Sequence, residues 1–390
     1  MLDTPGNWSQ IYTFDYMSNK FRRACLVHVG LVLQKVLLMC KVWERNLKRG
    51  VNMIHFHGFY ELAPEQFTNK IQAAIADYKQ VIAAVKSNRV INWVFAVQPL
   101  EEAAERLDKV WGMLSHINAV ANTPEIRSIY DSLLPIVTNF HVEVMQDSGL
   151  YNIYNILSSS EEFLSLSVAQ QTVITNTIRD FKLAGVSLQD TQRHELRQLI
   201  KQLDELENNF ANNVLDATQN WTYHISLDQH HLLDGVPEHT KELAKLKATN
   251  SNLDGWVLTL DYPCYLAIVK NATNRQLRQD FYIAFNTRAS AEGNATEKWD
   301  NTVNIETILQ LRQKIAHLTG HRNYAEYSLM SKMARTTKQV NDFLFDLAAK
   351  AKPNALLEFD ELQNFAYQHG FEDNLQAWDV AYYSELLRKQ

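Results

Sequence analysis

The chain has 390 residues, 46% of them hydrophobic and 11% aromatic, which excludes wholesale disorder. Its net charge is −6, with acids and bases interspersed, so no dense basic stripe marks a nucleic-acid partner. Three cysteines, Cys25, Cys40 and Cys264, exclude a disulfide framework, and 12 glycines with 8 prolines favour helices over many short strands.

The first fifty residues differ from the rest. Lys20, Arg22 and Arg23 precede an apolar run over residues 24–33, and a second run covers 36–40. Basic residues before an apolar core resemble a signal peptide, but no small-residue cleavage site follows. A membrane span of about 20 residues would have to carry His28, Gln34, Lys35 and Lys41. An amphipathic helix is a further alternative. The reading preferred here is an extension outside the fold, with translation starting at Met53.

Beyond Met53 the helical periodicity is regular. Phe67, Ile71, Ala74, Ile75, Tyr78 and Ile82 predict a helix over 65–86, because three- and four-residue steps return to one face. Thr123-Pro124-Glu125 reads as a helix start, with a capping hydroxyl, a proline in the first turn and an early acid. Ser167 and Gln170 predict a capping box, opening a helix that carries Ile174, Ile178 and Phe181 and is closed by Gly185. The longest helix is expected over 191–218, with a stripe of Leu196, Leu199, Leu203, Leu206, Phe210 and Val214 that reads as core packing. Further helices are predicted over 274–290, 303–318, 337–350 and 356–369. Residues 256–260 are the best strand, and 221–227 and 380–383 are weaker ones. Residues 230–254 read as the most polar connector.

Motifs for chemistry are scarce. There is no glycine-rich phosphate loop, no G-x-S-x-G elbow and no C-x-x-C pair. A zinc peptidase helix needs histidines at i and i+4 with a glutamate after the first, so that both rings meet one metal beside a general base. His194-Glu195 begins that pattern, but Gln198 stands where the second histidine is required. His317 and His321 have the spacing without the glutamate, and Gly320 interrupts the helix that would hold them. His55 and His57 read as loop or core residues, and His230-His231 as exposed. No catalytic, cofactor-binding or metal-ligating residue is therefore assigned.

The second half nonetheless carries recognisable sequence. Residues 212–218 (Asn-Asn-Val-Leu-Asp-Ala-Thr) are followed by 255–266, from Gly255-Trp256 through Asp261-Tyr262-Pro263. Then come Asn286-Thr287-Arg288-Ala289-Ser290, Lys298-Trp299-Asp300-Asn301, Asn323-Tyr324-Ala325 and Ser331-Lys332-Met333-Ala334. The closing Trp378-Asp379-Val380-Ala381-Tyr382-Tyr383-Ser384-Glu385 follows a W-D-x-x-Y-Y-S-E pattern. In this order they resemble the oligopeptidase A branch of the thimet-oligopeptidase family of zinc metallopeptidases. Weaker similarity reaches back through residues 118–135 to about Met53.

The resemblance implies a mainly α fold: the elongated, multi-helix wall of a channel-containing zinc oligopeptidase, with a few short strands. It implies three segments: 1–52, an extension without family counterpart; 53–225, an N-terminal helical domain; and 226–390, the start of the peptidase domain. By the family's order the H-E-x-x-H helix should follow Glu385, so the zinc ligands and general base are expected beyond Gln390. The complete family enzyme uses zinc and cuts short peptides, including cleaved signal peptides. For this chain the resemblance implies no specific zinc site, no activity alone and a cytoplasmic location. It allows a separately encoded catalytic half as partner, and gives no ground for a nucleic-acid or membrane partner. A helical module that binds peptides or proteins without cutting them is the alternative.

Overall fold

A computed structural model describes residues 63–293 and 297–390. The extension over 1–52, and His55 and His57, lie outside the described residues. The helices are α1 (Gln66–Ser87), α2 (Gln98–Val120), α3 (Pro124–Met145), α4 (Ser148–Ser158), α5 (Glu161–Ser165), α6 (Val168–Leu183) and α7 (Asp190–Asn220). Strand β1 (Thr222–Ile225), α8 (Glu238–Asn250), β2 (Trp256–Thr259), α9 (Tyr262–Asn271) and α10 (Arg275–Thr287) follow. The chain continues with α11 (Thr302–Leu318), α12 (Tyr324–Leu329), α13 (Thr337–Gln368) and α14 (Ala377–Arg388). The fold is mainly α, with one two-stranded sheet among the described residues.

Local chemistry explains the boundaries. The Thr123 hydroxyl accepts from the Ile126 amide at the start of α3. Ser167 and Gln170 form the reciprocal capping box at the start of α6. At the far end of α6, Gly185 sits at φ +83°, and the Val186 amide turns back to the Phe181 carbonyl, a closure that favours glycine.

Three expectations are corrected. The helices predicted over 337–350 and 356–369 are one helix, α13, running through Pro353. The proline removes one backbone donor, but this stretch is solvent-exposed, so the freed carbonyl can turn to water and the helix continues. The weak strand at 380–383 is part of α14 instead, because Gln376 and Asp379 form a capping box that starts a helix there. Within the polar connector, α8 buries only Thr240, Ala244 and Ala248. A face of small residues carries little hydrophobic signal.

The described residues form two compact units, each discontinuous in sequence. The first comprises residues 63–220 and Thr287–Leu347. Its main core joins α1 to α6 through Phe67, Ile71, Leu107, Leu133, Leu157 and Phe181. A second core packs Leu196, Leu199 and Leu203 of α7 against Ile308, Leu311 and Ile315 of α11. Buried Asn301 fixes that pair polarly. Its Nδ2 donates to the Phe210 carbonyl at 3.2 Å, and its Oδ1 accepts from Asn213 at 2.9 Å and Asn304 at 3.2 Å.

The second unit comprises Trp221–Asn286 and Ala348–Gln390. β1 and β2 pair antiparallel, with Thr222 opposite Thr259 and Ile225 opposite Trp256. Just before β2, Gly255 has φ +81°, and a Cβ there would lie 2.1 Å from the Ile225 carbonyl oxygen, so only glycine fits. Ile225, Leu258, Leu260, Ile268, Leu277 and Phe281 make this unit's core. Among the described residues no helix is long and apolar enough to cross a membrane.

Candidate functional site

The first unit holds a groove of about 630 Å³ among α1, α2, α3, α4, α6 and α7. Each helix contributes at helical spacing. Glu101 and Asp108 stand two turns apart on α2, and Thr138 and His141 one turn apart on α3. Tyr154 comes from α4 and Asp204 from α7. The Tyr154 hydroxyl donates to Glu101 Oε1 at 3.4 Å, and Thr138 Oγ1 donates to Asp204 Oδ2 at 2.7 Å.

Burial governs the electrostatics here. It pushes the Tyr78 phenol up to about 12 and raises the Tyr154 phenol as well, with the Glu101 charge adding to both. Burial also raises the carboxyls of Glu101, Asp108 and Asp204 above their ordinary values. The Tyr154 hydrogen bond opposes the rise at Glu101, His141 opposes it at Asp108, and Thr138 opposes it at Asp204. Glu101 and Asp108 keep much of their surface in water, which screens what those shifts are worth. A fourth carboxylate, Asp180, already pairs with Arg179 at 2.7 Å. No lysine or arginine lines the groove among the described residues, so its field favours cations. A second cavity of about 400 Å³ shares His141, Asp180 and Ile200 and is closed by Tyr324 and Tyr327.

Among the described residues the flagged histidines do not converge. His194, Glu195 and Gln198 are exposed on α7. His317 Nε2 lies 3.1 Å from the Arg322 carbonyl, while His321 Nδ1 contacts Thr319 Oγ1 at 3.1 Å, so each ring serves the turn after α11. His230 and His231 are exposed in the short 3-10 turn Leu227–Leu233. Among the described residues no group of three or more His, Cys, Asp or Glu is placed to hold a metal. The groove residues went unflagged in the sequence, because they come from separate helices and share no motif.

The motif residues have definite structural work. Asp216 receives two hydrogen bonds from Arg127, at 2.9 and 2.7 Å, which tie α7 to α3. Asp379 is fully buried and accepts from Arg275 Nε at 3.0 Å, Arg275 Nη2 at 2.9 Å and Arg278 Nη2 at 3.0 Å. The Gln376 amide also donates to it, at 3.1 Å. Arg278 is buried too; it donates to the Ala272 and Thr273 carbonyls, and its Cζ lies 4.1 Å from the Tyr382 ring centroid. Charge, fork geometry and an aromatic face together fix α14 on α10.

The Neurolysin/Thimet oligopeptidase N-terminal domain family matches residues 71–193, and peptidase family M3 matches residues 268–390. Oligopeptidase A of Salmonella typhimurium is 38% identical over 328 residues, covering 84% of this chain and 48% of that protein. Oligopeptidase A of Haemophilus influenzae is 37% identical over 327 residues, with the same coverages of 84% and 48%. Saccharolysin of Saccharomyces cerevisiae is 24% identical over 332 residues, 81% of this chain and 43% of that protein. The chain thus spans about half the length of the curated relatives it matches. Its two family matches, in that order, and its likeness to oligopeptidase A place it in the thimet-oligopeptidase family, peptidase family M3.

Proposed function

We propose that this chain supplies the helical wall of a zinc oligopeptidase of the oligopeptidase A kind, acting on short peptides, cleaved signal peptides among them. The observation that carries this reading is the collinear match to oligopeptidase A over 328 residues. Among the described residues no donor set fits the metal. Zinc at a catalytic site needs three protein ligands with an open position, and the nearest approach to the motif, His194-Glu195 with Gln198, faces solvent on α7. No catalytic step is therefore assigned to these residues, and the zinc ligands and general base come from sequence outside the 390. In this reading residues 53–225 form the N-terminal helical domain and 226–390 the beginning of the peptidase domain, working in the cytoplasm.

A second reading, a module that captures peptides without cutting them, is favoured by the acid-lined groove. One experiment separates the two. The purified chain is assayed for bound zinc, for hydrolysis of a fluorogenic short peptide, and for calorimetric binding of a lysine-rich peptide. The wall reading expects no stoichiometric zinc, no hydrolysis and weak binding. Hydrolysis that survives purification and is lost on chelation would refute it, whereas tight, saturable binding without cleavage would favour the capture module.

A further inference from the structure

α13 carries a patterned apolar face that no described residue covers. Within the first unit Phe343, Leu344 and Leu347 are 65%, 52% and 52% exposed. With Val340 they occupy positions i, i+3, i+4 and i+7, which align as one stripe along the helix. Lys338, Asp342 and Asp346 lie on the opposite side, so the sequence separates an apolar face from a charged one, although exposed Phe345 stands off the stripe. Helices in water draw most of their stability from packing such a face, and monomers rarely leave one open.

The family match indicates what covers it. The match to peptidase family M3 runs over 268–390 and so includes the whole of α13, while the chain reaches only 48% of the length of oligopeptidase A. About half of each such relative thus has no counterpart in these residues. Resting on the wall reading above, we propose that the Val340, Phe343, Leu344 and Leu347 stripe is the docking face for that remaining half of an M3 peptidase, and that it seats on an apolar surface of it.

The test mixes the full chain with the separately expressed remainder of Salmonella typhimurium oligopeptidase A, the part this chain does not match. Association is followed by sedimentation, peptide hydrolysis by fluorescence, and the amides of 337–347 by hydrogen exchange. A complex forms, exchange in that segment slows by at least about tenfold, and Phe343→Glu with Leu344→Glu weakens association by about 30-fold or more. Asp342→Ala, on the charged side, leaves association unchanged. Circular dichroism confirms that each variant stays folded, as surface positions allow. If complex and hydrolysis appear but the segment's exchange and the double variant's affinity are unchanged, the docking face is wrong while the wall reading stands. If neither complex nor hydrolysis appears, the wall reading falls and takes the docking face with it. A dimer of the chain alone, abolished by Phe343→Glu, would overturn the proposal in favour of a second copy on the stripe.

Discussion

Replacing Asp379 by asparagine removes the carboxylate charge to which the buried Arg278 guanidinium donates. Removing one partner of a buried pair leaves the other charge uncompensated, which costs about 3–5 kcal/mol. Asp379→Asn should therefore lower stability by about that amount in urea unfolding, and a loss under about 1 kcal/mol would show that water reaches Arg278. Asp204 behaves oppositely. Burial raises its carboxyl above 3.8, so the folded form favours the proton. That contribution is complete below pH 3.8 and is lost as pH rises through the raised value, leaving the ionised carboxylate as a cost at neutrality. Asp204→Asn keeps an acceptor for Thr138 and should raise Tm by about 1–2 °C near pH 7. Near pH 3 scanning calorimetry should find no gain. A gain equal at both values would exclude ionisation as the cause.

At the scale of the element, caps and periodicity decide what the sequence reveals. The hydroxyl of Ser167 and the amide of Gln170 satisfy each other's backbone partners at the start of α6. Ser167→Ala should cost about 1 kcal/mol of stability, and chemical denaturation measures it directly. That cap was legible because both groups lie within four residues. β2 was legible because Trp256 to Thr259 is a β-branched and aromatic run ending at a turn. By contrast α8 hid behind Thr240, Ala244 and Ala248, whose side chains are too small to signal a face. The gap between the helices predicted over 337–350 and 356–369 is helical too, because exposure to water lets α13 run through Pro353. The groove was illegible for a different reason. Glu101, His141, Tyr154 and Asp204 acquire a relation only after four helices pack, and no spacing in the sequence encodes it.

For the whole molecule, the family was legible in short collinear motifs, while the meaning of their residues was not. Trp378 to Glu385 identified the kinship, yet the work of Asp379 became clear only when Arg275 and Arg278 arrived beside it from α10. The absence of hydrolysis and stoichiometric zinc expected of the isolated chain belongs to this scale as well, because it depends on a donor set that no helix among the described residues carries. The two discontinuous units also shape how the chain is made. Arg278 and Asp379 are 101 residues apart in sequence. At roughly 5–20 residues per second, the ribosome emits the cation about 5–20 s before its counter-ion. Through that interval burying Arg278 would leave its charge without the carboxylate that meets it in the folded unit, at a cost of about 3–5 kcal/mol.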